Sequence, residues 1–106
     1  MNTPMSLNDE EQALVAYLLE SPRESLVILT EDFHPGSRMV QEAVQQLQRT
    51  HRSLEVIEGS FARYERFAHT QDVFGFPAVL HFRKGELQTL LLGVVTEKDL
   101  ESLGLE

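Results

Sequence analysis

Six residues, Ser25-Leu26-Val27-Ile28-Leu29-Thr30, constrain the fold of this chain more than any others. The run is apolar and rich in branched side chains, and it does not alternate with polar residues. A strand built from it is buried on both faces, as in a sheet covered by helices on either side. The flanking segments agree. Asn8 followed by Glu11 resembles a capping box, and behind it Leu14, Val15, Leu18 and Leu19 recur at helical spacing. This predicts a helix from about Asp9 to Glu20, stopped at Ser21-Pro22 because proline disfavours helix in the residue before it. After the strand, Glu31 to Gly36 reads as a loop. Met39, Val40, Ala43, Val44 and Leu47 then form one apolar stripe of a helix from about Ser37 to His51.

The second half is read in the same way. Ser53 to Ile57 is a second strand. Ser60 opens a third helix with Phe61, Tyr64, Phe67 and Ala68 on its buried side, broken by Val73 to Pro77. Ala78 to Arg83 is a strand, Lys84-Gly85 a tight turn, and Glu86 to Leu92 its antiparallel partner. Gly93 ends that strand. Thr96 caps a last helix, with Asp99 at its third position and Leu100 and Leu103 facing inward. The order is α-β-α-β-α-β-β-α. Its first half implies parallel strands joined by right-handed crossovers, and its second half adds a hairpin and a helix. The expectation is a three-layer α/β/α domain around a central four-stranded mixed sheet. At 106 residues this is one domain, with Met1 to Ser6 as a loose end.

Composition narrows the chemistry. There is no cysteine, which removes disulfides, thiolate metal sites and thiol nucleophiles. The net charge is −8, from 17 acids and 9 bases, and such a chain is on average repelled by nucleic acid. Residues 1–32 carry −6, residues 33–84 carry +2 and residues 85–106 carry −4, so the middle is weakly basic. No run approaches the length of a membrane span. Met1 to Gln12 has neither the basic start nor the apolar core of a secretory signal, and a cytoplasmic location is expected.

Residues with chemical potential are few. His34 and Ser37 pair an imidazole with a hydroxyl at a helix start, but at that spacing Ser37 more naturally caps the helix by accepting a backbone N–H. His51 and His69 fall at helix ends, where positive charge suits the dipole, and His81 lies within a strand. None of the four histidines has metal-ligand spacing, and the scattered glycines form no phosphate loop. No cofactor is expected. Arg38 is expected to pair with Glu42 one turn on, or to meet an acidic partner group.

The element order is that of the thioredoxin fold, and three segments resemble that family. Phe33-His34-Pro35-Gly36-Ser37-Arg38-Met39 is similar to the aromatic residue, Cys-Gly-Pro-Cys motif and Lys-Met that open the family's second helix. Phe76-Pro77-Ala78, running on to Lys84-Gly85-Glu86, resembles the family's conserved proline, strand and Lys-Asn-Gly turn. Leu92-Gly93-Val94-Val95-Thr96 resembles the segment that follows. The resemblance implies a cis peptide bond before Pro77 and places Phe33 and Phe76 on either side of the old redox groove, with Phe74 either joining them or turned inward. It also sets His34 and Ser37 where the two cysteines would stand, and Ile28 where the family keeps a buried carboxylate. A dithiol mechanism needs a thiolate, a second thiol and a proton acceptor. All three are missing, so no catalytic residue is expected.

A narrower resemblance follows. Leu26-Val27-Ile28-Leu29-Thr30 and Phe76-Pro77-Ala78 look like segments of cysteine-less, thioredoxin-like accessory proteins of nickel–iron hydrogenase maturation. That resemblance implies an assembly chaperone for a hydrogenase subunit and its export signal. The expected activity is binding of a protein or extended peptide, with Phe33, His34, Arg38, Phe76 and Pro77 as the contact residues. Two alternatives stand beside it. One is a scaffold that forms a homo-oligomer through its sheet edge or a helix face. The other is an enzyme using bound glutathione.

Overall fold

The computed structural model describes residues 6–21 and 23–105. Four helices and four strands follow one another: α1 (Asp9–Glu20), β1 (Glu24–Thr30), α2 (Pro35–Thr50), β2 (Glu55–Ser60), α3 (Glu65–Thr70), β3 (Ala78–Arg83), β4 (Glu86–Leu92) and α4 (Glu97–Glu101). The sheet order is β2-β1-β3-β4. β1 runs parallel to β2 and antiparallel to β3, and β3 pairs antiparallel with β4. This is the expected thioredoxin-like fold. Of the expected loose end, Met1 to Met5 lie outside the described residues; the Ser6 carbonyl accepts a hydrogen bond from Arg66.

β1 is central because it has no face that tolerates water. Leu26, Val27, Ile28 and Leu29 are all buried. Val27 and Leu29 pack with Leu14 and Leu18 of α1, Phe67 and Ala68 of α3, and Leu80 and Phe82 of β3. Leu26 and Ile28 pack with Val40, Val44 and Leu47 of α2, Val79, and Leu100 of α4. Period-2 alternation thus sends neighbours on one strand into two separate cores.

Both expected capping boxes form. Asn8 Oδ1 accepts from Glu11 N at 2.8 Å while Glu11 Oε1 accepts from Asn8 N at 3.0 Å, and Thr96 and Asp99 repeat the arrangement at α4. Lys84 (φ 53°) and Gly85 (φ 80°) both lie in the left-handed region, as a two-residue hairpin turn demands.

The structure corrects several expectations. β2 begins two residues later than expected, because Leu54 N closes a turn onto the His51 carbonyl, and it continues through Glu58, Gly59 and Ser60. Ser60 therefore ends a strand instead of opening α3. Its hydroxyl donates to Glu31, residues 61–64 form a turn, and the helix starts at Glu65. Two members of the expected apolar stripes face outward: Leu19 is 64% exposed and Met39 54%. Leu19 lies across the hairpin turn, where a Cβ on Gly85 would meet its side chain at 2.6 Å. No ion pair joins Arg38 to Glu42. Among the described residues the ion pairs are those of Glu24 with His81 and with Arg83.

Candidate functional site

The loop from β1 into α2 is held from both sides. The Glu31 N–H donates to Ser37 Oγ at 3.1 Å, and the Glu31 carboxylate accepts from Ser60 Oγ at 2.9 Å and Ala62 N at 2.7 Å. Phe33 follows with φ 61°, a left-handed conformation rare for a bulky side chain. Its ring is fully exposed. His34 then caps α2, its Nδ1 accepting from Ser37 N at 3.1 Å. The expected capping role of Ser37 therefore falls to His34, while Ser37 itself is buried within the first turn. The Ser37 hydroxyl is 3.4 Å from His34 Nδ1, but it is shielded from solvent and accepts the Glu31 N–H. This is a structural hydroxyl, and Ser37 is not presented as an exposed nucleophile.

On the far side of His34 stands Phe76, 40% exposed. Its ring meets the His34 ring edge-to-face at 5.1 Å and the Phe61 ring at 5.6 Å. The Phe76–Pro77 peptide is cis, as the resemblance implied. The Pro77 carbonyl accepts from Gly93 N at 2.9 Å, whereas the backbone N–H and carbonyl of Phe76 have no partner among the described residues. Val94, half exposed, closes the third side: a Cβ added to Gly36 would lie 3.1 Å from Val94 Cγ2 and 3.0 Å from His34 Cε1. Glycine at position 36 lets the first turn of α2 sit close against the side chains of His34 and Val94, which a methyl there would press aside.

The expected contact residues divide in two. Phe33, His34 and Arg38 share a recess of about 680 Å³ with Glu31, Met39 and Gln41. Phe76 and Pro77 stand on the other flank of His34, and His34, not Phe33, makes the ring contact with Phe76. Phe74 turns away and stacks on His69 at 4.8 Å. Val94, Met39 and Glu31 belong to the neighbourhood although they are not among the expected contact residues. Val94 could have been found from its place after Gly93, whereas nothing in the sequence marks Glu31 as the brace of the loop. No group of three histidine, aspartate or glutamate residues converges as a metal site among the described residues, and no helix there is long and apolar enough to cross a membrane.

No protein-family pattern matches the sequence, and no curated protein matches it. The fold does have solved counterparts. A protein from the structural study of thiol resolution in yeast mitochondrial 1-Cys peroxiredoxin, via glutathione/thioredoxin systems, superposes with a TM-score of 0.76 at 13% identity, over 92% of this chain and 88% of that one. Oxidised mitochondrial thioredoxin 3 from Saccharomyces cerevisiae gives 0.75 at 12% identity, over 86% and 84%. A mutant thioredoxin from Halobacterium salinarum gives 0.75 at 20% identity, over 87% and 80%. These likenesses establish a thioredoxin fold. With no cysteine in the chain, a thiol–disulfide mechanism has no nucleophile here.

Proposed function

We propose that this chain is a non-catalytic, cytoplasmic thioredoxin-fold protein that binds an extended segment of a partner protein beside His34. The observation that carries the reading is Phe33. An aromatic side chain on left-handed backbone costs strain, and a fully exposed ring recovers none of that cost through burial. Such outliers persist where the surrounding structure holds them for use, and Glu31 and His34 hold this one. The unpartnered backbone of Phe76 offers a hydrogen-bond donor and acceptor to an extended chain, and Phe76 and Val94 flank it with apolar surface. Backbone pairing supplies affinity. The rings of Phe33 and Phe76, with the Arg38 guanidinium, supply selectivity.

In the narrower form of this proposal the client is a nickel–iron hydrogenase subunit and the bound segment is its export signal. The likeness of Leu26 to Thr30 and of Phe76-Pro77-Ala78 to the maturation accessory proteins supports it. Capture from a lysate of the source cell, with the wild type beside Phe33→Glu/Phe76→Glu, tests both forms once circular dichroism shows equal folding. The proposal expects a partner held by the wild type and lost by the variant, and its narrower form expects that partner to be a hydrogenase subunit precursor. Capture of the same proteins by both, or of none by either, would overturn it.

A further inference from the structure

The sheet has two edges, β2 and β4, and they are not equivalent. The β3–β4 ladder shifts register at His81/Phe82, so that Thr89 faces His81 and Leu87 faces Phe82 with Gln88 between. A bulge of this kind twists an edge and blunts it against further pairing. The β1–β2 ladder is unbroken from Ser25↔Glu55 to Thr30↔Ser60. The Phe61 N–H donates to the Thr30 carbonyl at 2.8 Å, one step beyond the last pair. By alternation, Ile57 and Gly59 direct their backbone groups toward β1, and Val56 and Glu58 direct theirs outward. Among the described residues neither outward pair finds a partner.

Beside this open edge lies an apolar notch of about 360 Å³, formed by Ala13, Leu14 and Tyr17 of α1 with Ile57 and Tyr64, and rimmed by Glu10. On the opposite face Glu58 is exposed and in no ion pair among the described residues. β2 carries no cation. We propose that the β2 edge accepts a further strand from a partner protein, and that this strand is basic and alternates. Its apolar side chains enter the notch beside Ile57, and its lysines or arginines lie beside Glu58. A second copy fits poorly. Two-fold pairing of β2 with itself sets both Glu58 carboxylates on one face, and like charges across a strand pair destabilise it. This surface is separate from the groove at His34.

The test is fluorescence anisotropy with a labelled peptide, Lys-Val-Arg-Ile-Arg-Val-Lys, against the full chain. Three controls accompany it: the same peptide with glutamate for each base, the peptide N-methylated at alternate residues, and the protein variants Glu58→Gln and Glu58→Pro. Saturable binding is expected. It should weaken by about tenfold or more on N-methylation and in Glu58→Pro relative to Glu58→Gln, since only proline also removes the outward N–H. It should also weaken at about 1 M salt, where the Debye length is about 3 Å. Hydrogen exchange at Val56 and Glu58 should slow on binding. The Phe33→Glu/Phe76→Glu variant should bind the peptide unchanged, which separates this surface from the groove. The N-methylated peptide keeps the test decisive if Glu58→Pro fails to fold. Equal binding of the acidic or N-methylated peptide, or no binding of the basic one, overturns the proposal. So does a dimer in sedimentation that Glu58→Pro dissolves, because a second copy would then occupy the edge.

Discussion

Glu24 opens β1 with only 11% of its side chain exposed. It accepts from His81 Nε2 at 3.0 Å and from Arg83. His81 is itself buried, and its Nδ1 finds no partner among the described residues. Burial pushes the Glu24 carboxyl up, but the hydrogen bonds from Arg83 and His81, with the electrostatic attraction of the same two side chains, hold it below its ordinary value of 4.5. A carboxyl held lower in the folded than in the unfolded state stabilises the fold above the unfolded value. That contribution disappears as pH falls through the folded one. Glu24→Gln should therefore cost about 1–3 kcal/mol at neutral pH. Urea titrations from about pH 7 down to about pH 3 should show the wild type losing its advantage below about pH 5; parallel curves would contradict the assignment. Phe33 poses the opposite case. Its φ of 61° suits glycine, so Phe33→Gly should leave stability equal or raise it by about 0.5–1 kcal/mol, in spite of glycine's entropy, while abolishing partner capture at the groove. Denaturant midpoints read the first effect and the lysate capture reads the second.

Among the elements, α1 and α3 are joined by one buried carboxylate. Glu11 is inaccessible to solvent, and beyond its capping bond to Asn8 it accepts the Phe67 N–H at the start of α3. α3 has only six residues and no side-chain cap of its own, so Glu11 supplies from another helix what Tyr64 does not. Glu11→Ala leaves two backbone donors unpaired and should cost about 2–4 kcal/mol. Hydrogen exchange should show early loss of protection at Phe67, whereas Glu11→Gln should recover part of it because its amide oxygen still accepts. The capping bond was legible in the sequence from the Asn8–Glu11 spacing; the second bond was not, because it joins residues far apart in the chain. The same division runs through the fold. β3 and β4 were readable residue by residue because a hairpin is specified locally by Lys84-Gly85 and the flanking alternation. The start of α3 was not, because Ser60 looks like a cap until Glu31 claims its hydroxyl. At the candidate site Pro77 and the aromatics stood out by type, but which ring meets which depended on His34 turning inward to cap α2.

For the whole molecule, electrostatics sets two responses of opposite sign. The chain carries 17 acids and 9 bases, and the ion pairs among the described residues both fall on Glu24. The remaining charges act at long range and mostly repel. At about 0.01 M salt the Debye length is about 30 Å, longer than the molecule's shortest dimension of 19 Å, so each carboxylate senses those on the other side. At about 0.15 M it is about 8 Å and only neighbours interact. Raising potassium chloride across that range should therefore stabilise the fold by about 1 kcal/mol, which for a domain of this size is about 4–6 °C in Tm. Chloride avoids the general strengthening of burial that sulfate brings. The field that opposes folding also steers a basic strand toward Glu58 and Glu10, and screening it should slow that association. Scanning calorimetry and stopped-flow binding along one salt series thus have a joint expectation: Tm rises while the association rate of the basic peptide falls. If Tm fell instead, the attraction concentrated at Glu24 would outweigh the distributed repulsion. If the association rate stayed flat, contact at the β2 edge would owe nothing to charge.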